Sequence, residues 1–202
     1  MSALHPPGGA TAAHRDAVVS AVLAARELGA AMVMVDGRSG SGKTELAAVL
    51  AEMVPGSRVL HLEDAYRGWF GLAEGLEEIA TGVLVPLAEG RWGSYESWDW
   101  EADEPGGRRV VEPLHPGGVL LVEGCGALAE PCAPFADLGI WCEAPEHVRR
   151  ARASTRDPYD WSEQWESWAR QEEALTYSRT PDLVLHTAHT AHPSDTPGSP
   201  NS

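Results

Sequence analysis

The chain of 202 residues has one lysine, Lys43; its 15 basic residues otherwise are arginines, and they face 30 acidic ones, for a formal net charge of −15. So little positive charge argues against a general nucleic-acid binder, which needs a basic face to neutralise phosphates. It argues equally against adhesion to an acidic membrane surface. No apolar run approaches the ~20 residues of a membrane span. The opening residues lack a basic stretch followed by an apolar core, so no secretory leader is expected. Cysteine is scarce too: Cys125, Cys132 and Cys142 are an odd number with no zinc-binding spacing. Three reduced thiols in a cytoplasmic protein is the expectation. What is plentiful is aliphatic: 43% of the chain is apolar, enough for one compact domain with a real core.

The ends differ from the middle. Residues 1–13 are small and rich in Pro and Gly, and residues 187–202 continue a Thr-, Ser- and Pro-rich stretch; both are expected to be disordered. His186, His189 and His192 would share a helix face, but Pro193 and the neighbouring Thr and Ser residues argue for an unstructured tail rather than a metal site. Between the tails, at 14–186, strand-like and helix-like segments alternate. Helices are expected at 14–29, 43–53, about 72–89, 145–156 and 162–175, and strands at 31–36, 58–62, 118–122, 137–142 and 182–185. A Trp-rich stretch at 91–107 reads as irregular. Strands separated by helices imply a mainly parallel five-stranded sheet in a three-layer α/β/α fold.

The decisive segment is Gly37-Arg38-Ser39-Gly40-Ser41-Gly42-Lys43-Thr44, a complete G-x-x-x-x-G-K-[ST] motif between an expected strand and an expected helix. Glycines let the backbone turn its N–H groups onto phosphate oxygens. The following helix adds the positive end of its dipole. Lys43 can reach the β- and γ-phosphates of ATP, and Thr44 can ligate Mg²⁺. That the only lysine falls here is itself an argument, because arginine's planar fork is a poor substitute for a compact ammonium. The glycines do not extend to G-x-G-x-x-G, so a dinucleotide site is not supported. GTP specificity through Asn-Lys-x-Asp is disfavoured, since it needs a second lysine.

Ligands of open α/β sheets bind beyond the carboxyl ends of the strands. Asp64 follows the strand at 58–62, and Glu123 follows that at 118–122. Phosphoryl transfer needs one carboxylate on the metal side and another to deprotonate the accepting hydroxyl. Glu123 is the candidate for the first task and Asp64 for the second, with Glu63 as an alternative. Arg149, Arg152 and Arg156 are spaced 3 and 4 apart, so one helix face can present them to a transferring phosphoryl group. Trp69, Trp92, Trp98 and Trp100 fall in segments expected over the acceptor site, where they could stack on a flat substrate or exclude water; for Trp98 and Trp100 plain packing is an equal alternative. Trp161, Trp165 and Trp168 form a helix stripe that reads as packing. Tyr66 and Arg67 are further acceptor-side candidates, and His115 reads as a loop residue.

The order of these segments resembles the uridine kinase-like branch of P-loop nucleoside kinases over roughly residues 30–186. His61-Leu62-Glu63-Asp64-Ala65-Tyr66 resembles that family's acidic segment, whose Asp serves as base. Trp98-Asp99-Trp100 resembles its acceptor-site segment, Val122-Glu123-Gly124 its Glu-Gly strand end, and residues 149–157 its arginine-bearing lid helix. The resemblance implies substrate contacts from Asp64, Tyr66, Trp98, Asp99, Trp100, Glu123 and Arg149. It implies catalytic roles for Lys43, Asp64, Arg152 and Arg156, metal ligation by Thr44 and Glu123, and a helical lid. It differs at Trp98, where a Tyr is usual, and in having Glu101-Ala102-Asp103-Glu104 where a histidine is usual. The expectation is a Mg²⁺-dependent kinase moving the γ-phosphoryl of ATP to a small hydroxylated acceptor such as a nucleoside. The alternatives are a kinase for a nucleotide, sugar or antibiotic, and an ATP-binding regulatory protein without an acceptor.

Overall fold

A computed structural model of the chain describes residues 12–29, 31–156 and 162–188. In chain order the elements are α1 (Ala12–Glu27), β1 (Ala31–Asp36), α2 (Lys43–Met53), β2 (Ser57–His61), α3 (Leu72–Ile79), α4 (Val85–Ala88), β3 (Gly93–Asp99), β4 (Glu104–Val111), β5 (Val119–Glu123), β6 (Leu138–Glu143), α5 (Glu146–Arg156), α6 (Ser162–Ala174) and β7 (Leu183–His186). Five strands pair in parallel in the order β2-β5-β1-β6-β7. Among the described residues no helix is long and apolar enough to cross a membrane.

The sheet is covered on both faces because its central strands are apolar on both. In β1, Met32 and Met34 join Leu120 and Val122 of β5 in a core with Leu72, Leu76, Ile79 and Trp168. The alternate residues Val33 and Val35 join Val119 and Leu121 in a second core, closed by Val18 and Val22 of α1 and by Leu46 and Leu50 of α2. Successive strand side chains point to opposite faces, so an unbroken apolar run specifies a strand buried between two layers. Each fully buried aliphatic side chain stabilises the fold by roughly 1.5–3 kcal/mol.

Two segments depart from the sequence reading. The helix expected at 72–89 is broken: α3 ends at Ile79, a π-helical turn spans Ala80–Leu84, and α4 follows. Pro86 lacks an N–H and cannot continue a regular i→i−4 ladder. The widened turn also receives β3, since a Cβ on Gly82 would lie 2.4 Å from the Ser94 carbonyl oxygen. The stretch read as irregular is a two-stranded antiparallel hairpin, β3 with β4, with a register shift between Ser97 and Trp98. In β3, Tyr95 and Ser97 are buried and Glu96 is exposed, the alternation of a half-buried strand. Pro105-Gly106-Gly107 in β4 hides the partner strand, because glycine and proline are poor strand residues.

The fold also runs one residue past its expected end. Thr187 is buried and donates its hydroxyl to the Ser41 carbonyl at 2.6 Å. His189, His192 and the rest of the expected tail lie outside the described residues, as do residues 1–11 of the expected disordered N-terminus.

Candidate active site

The loop Gly37–Thr44 joins the carboxyl end of β1 to α2 at the centre of the sheet edge. Gly37 and Gly40 have φ of 144° and 77°, a region that side chains rarely occupy. A Cβ at Gly37 would lie 2.3 Å from the Cys142 carbonyl oxygen, and one at Gly40 would lie 2.3 Å from that of Arg149. The turn is therefore clamped from outside by β6 and α5. Ser41 is buried, and among the described residues its hydroxyl has no hydrogen-bond partner. An unsatisfied buried hydroxyl in such a turn suits a loop that receives an oxyanion.

Asp36, which the sequence reading passed over, anchors the loop. Its buried carboxylate accepts N–H bonds from Gly37 at 2.6 Å, Gly126 at 2.9 Å and Leu128 at 2.8 Å. Burial pushes its pKa up to about 6, against those three bonds and the Lys43 charge. The signal was present in the sequence: a carboxylate closes an otherwise apolar strand directly before the first loop glycine. The Lys43 ammonium donates to the Arg38 carbonyl at 3.2 Å and lies 3.4 Å from the Cys125 sulfur. Burial disfavours that charge, but Cys125, Glu123, Asp36 and Glu172 around it hold its pKa above the ordinary lysine value. The Cys125 thiol is itself pushed up to about 12 by burial, so the carboxylates carry the compensating charge.

Thr44 and Glu123, the residues expected on the metal side, lie in contact. The Thr44 hydroxyl lies 3.2 and 3.3 Å from the two Glu123 oxygens. Glu123 is buried at the last position of β5, in register with His61 of β2. His61 Nδ1 lies 2.6 Å from Glu123 Oε1. That hydrogen bond raises the His61 pKa above its ordinary value, with burial opposing it. His61 is a site residue that the sequence reading did not select. Among the described residues no group of three His, Cys, Asp or Glu side chains could hold a metal by itself. A hydroxyl with one carboxylate does fit Mg²⁺, which takes few protein ligands and completes its shell with water and substrate phosphates.

Asp64 lies in a one-turn 3-10 helix, Leu62–Ala65, directly after β2. Tyr95 donates to its Oδ2 at 3.3 Å, and an Arg109 nitrogen lies 3.7 Å from the same oxygen. Both partners come from the hairpin, so the segment read as irregular supplies the immediate surroundings of Asp64. Trp98 packs beside Gly68, and its indole N–H is buried without a partner among the described residues. Trp100 donates its indole N–H to the Glu63 carbonyl at 3.0 Å and meets Trp69 edge-on at 5.3 Å.

Four of the expected site residues make contacts within the protein. Tyr66 is buried, donates its hydroxyl to the Cys125 carbonyl at 2.8 Å and packs on Trp168. Asp99 caps the hairpin turn, accepting the N–H groups of Glu101 and Ala102, both at 3.0 Å. Arg149 is buried with its guanidinium on the Ala144 and Ser39 carbonyls, both at 3.2 Å, so it braces the phosphate loop from outside. Arg152 donates to the Thr187 carbonyl at 2.7 Å and to its hydroxyl at 3.2 Å, beside Gly42. These placements follow from long-range contacts that helix spacing does not reveal. Arg156 closes α5, and its side chain lies outside the described residues, as does Trp161.

The sequence reading also missed Glu172. It sits on α6 in the buried stripe of Trp165 and Trp168, and its Oε1 accepts the Ser39 N–H of the phosphate loop at 2.7 Å. An acid continuing an apolar helix stripe at spacings of 3 and 4 was the available signal.

No protein-family model matches the chain, and no curated protein is a significant match. Solved structures do match. One is a possible uridine kinase from Bacillus stearothermophilus, at 19% identity and a TM-score of 0.61, covering 85% of this chain and 96% of that one. The two chains share their fold over that length. A second match, provisionally assigned as a fructose transport system kinase from Silicibacter sp. TM1040, has 20% identity and a TM-score of 0.58 and covers 85% of this chain and 98% of that one. In this fold the loop at residues 37–44, the Thr44–Glu123 pair and Asp64 all stand at the carboxyl edge of one parallel sheet, where such sheets bind ligands.

Proposed function

We propose that the protein is a Mg²⁺-dependent small-molecule kinase that moves the γ-phosphoryl group of ATP to a hydroxyl of a nucleoside-like acceptor. The Thr44–Glu123 contact beside the phosphate loop carries the reading, because it puts a metal-side hydroxyl and carboxylate together at the mouth of a Lys43-bearing turn. Bound Mg·ATP supplies the electrophilic phosphorus and the leaving ADP. The N–H groups of residues 37–44 and the Lys43 ammonium would hold its phosphates. Thr44 and Glu123 would take the metal, and Asp64 would accept the proton of the attacking hydroxyl. Tyr95 and Arg109, both on the Asp64 Oδ2, would hold the carboxylate in place to accept that proton. Trp98, Trp100 and Trp69 would wall the acceptor side. Arg152 beside Gly42 and Thr187 lies at the loop's outer flank, which suits the nucleotide more than the transferring phosphoryl.

Three unbridged, buried cysteines suit a reducing compartment, and we place the protein in the cytoplasm. The acceptor class is open to a second reading, a sugar. The match to a protein provisionally assigned as a fructose transport system kinase favours it, and so does the diversion of Asp99 into the hairpin turn. Measuring ADP release with nucleosides and sugars in separate reactions tests both. Release that needs a nucleoside supports the first reading, release that needs a sugar supports the second, and release indifferent to either contradicts both.

A further inference from the structure

The Glu172 carboxylate reaches the phosphate loop. It is buried, and its Oε1 takes the Ser39 N–H at 2.7 Å. Its Oε2 lies 3.9 Å from the Arg38 guanidinium. Its charge also acts on Lys43, raising the lysine pKa. An acid among a loop N–H, a lysine and an arginine has the surroundings of a bound phosphate oxygen. A carboxylate and a phosphate cannot share those donors, and two anions there would repel each other.

The same helix holds the other side of the cleft. Gln171, the residue before Glu172, donates to the Trp69 carbonyl at 2.7 Å and receives the Leu72 N–H at 3.4 Å. Trp168, one turn back, meets Trp69 edge-on at 6.2 Å, and Trp69 in turn meets Trp100. One turn of α6 therefore touches both the phosphate loop and the tryptophan wall.

The geometry points to Glu172 as an internal competitor of phosphate: it holds the Ser39 N–H, must leave it when a polyphosphate enters, and through α6 carries that displacement to Trp69 and Trp100. The inference rests on the phosphate-loop reading above. It makes Glu172 a positioning residue that ties the loop to α6 through Ser39 and lowers its affinity for nucleotide.

The test uses inorganic tripolyphosphate, which has no base to stack on tryptophan. Its affinity is measured for the full chain and for Glu172→Gln, Glu173→Gln and Lys43→Ala. Glutamine keeps an oxygen acceptor for Ser39 and removes the charge. Glu172→Gln is expected to bind about tenfold more tightly. Glu173, exposed on the outer side of Arg38, is the control, and its variant should stay within about twofold of the parent. Tripolyphosphate should also shift the tryptophan emission of the parent chain. Affinity of Glu172→Gln within twofold of the parent, or weaker, overturns the competition, and unchanged emission overturns the transmission through α6. Failure of the underlying reading looks different: Lys43→Ala would then bind tripolyphosphate as well as the parent does.

Discussion

Thr44, the last residue of the phosphate loop, lies with its hydroxyl 3.2 Å from Glu123 Oε1, and His61 lies 2.6 Å from that same oxygen. One buried carboxylate thus links the loop to the edge strand β2, whose next turn carries Asp64. The register that pairs His61 with Glu123 sets this geometry. A one-residue slip would turn both side chains to the other face of the sheet.

Replacing Lys43 by arginine keeps the charge and changes its shape. The ammonium is buried and donates to the Arg38 carbonyl, a point contact that a planar guanidinium reproduces poorly. Nucleotide affinity should fall by about tenfold or more, read by calorimetric titration with ATP. Affinity equal to the parent's would contradict a point-charge role.

Gly40→Ala should damage the loop through its backbone. The residue has φ of 77°, and the new Cβ would lie 2.3 Å from the Arg149 carbonyl oxygen. A loss of about 1–3 kcal/mol in urea unfolding is expected, together with weaker ATP binding. Unchanged stability would mean that α5 does not clamp the turn.

His61 gives the stability a pH signature. Its pKa is raised from 6.5 in the folded protein, chiefly by the Glu123 hydrogen bond. The folded state then holds the proton more tightly than the unfolded chain. The resulting stabilisation is complete below pH 6.5 and is lost as pH rises through the raised value. The melting temperature of the parent should exceed that of His61→Gln by more at about pH 6 than at about pH 9. A gap that is constant or grows with pH would contradict the contact.

The core reaches the site through Leu76. This side chain is fully buried and packs so closely on Gly126 that a Cβ there would lie 2.6 Å from it, and Gly126 donates its N–H to Asp36. Leu76→Ala should cost about 2–5 kcal/mol. ATP affinity should also weaken at temperatures where the variant is still folded. Destabilisation with full affinity would uncouple that core from the loop.

The sheet and the phosphate loop were legible because their signals are local. Apolar runs such as Ala31–Val35 mark buried strands, and the glycine spacing of 37–44 has a direct steric cause. Glu123 was legible for a similar reason, as an acid where an apolar strand stops. The hairpin was not, because a half-buried strand with Pro105, Gly106 and Gly107 in its partner lacks the composition of a strand. Roles set by distant contacts were hidden for another reason. Nothing near Arg149 in the chain announces the Ser39 carbonyl, and nothing near Tyr66 announces that of Cys125. Glu172 was hidden in the same way, although its place on the tryptophan stripe marked it as an acid on a buried face.

The most direct measurement is ADP release from ATP and Mg²⁺, with and without a panel of nucleosides and sugars, for the parent chain and for Asp64→Asn. The account predicts release that depends on one acceptor class. In Asp64→Asn that release should fall by about 10²–10⁴-fold, with ATP affinity unchanged. Release indifferent to every acceptor, or undiminished in Asp64→Asn, would contradict it.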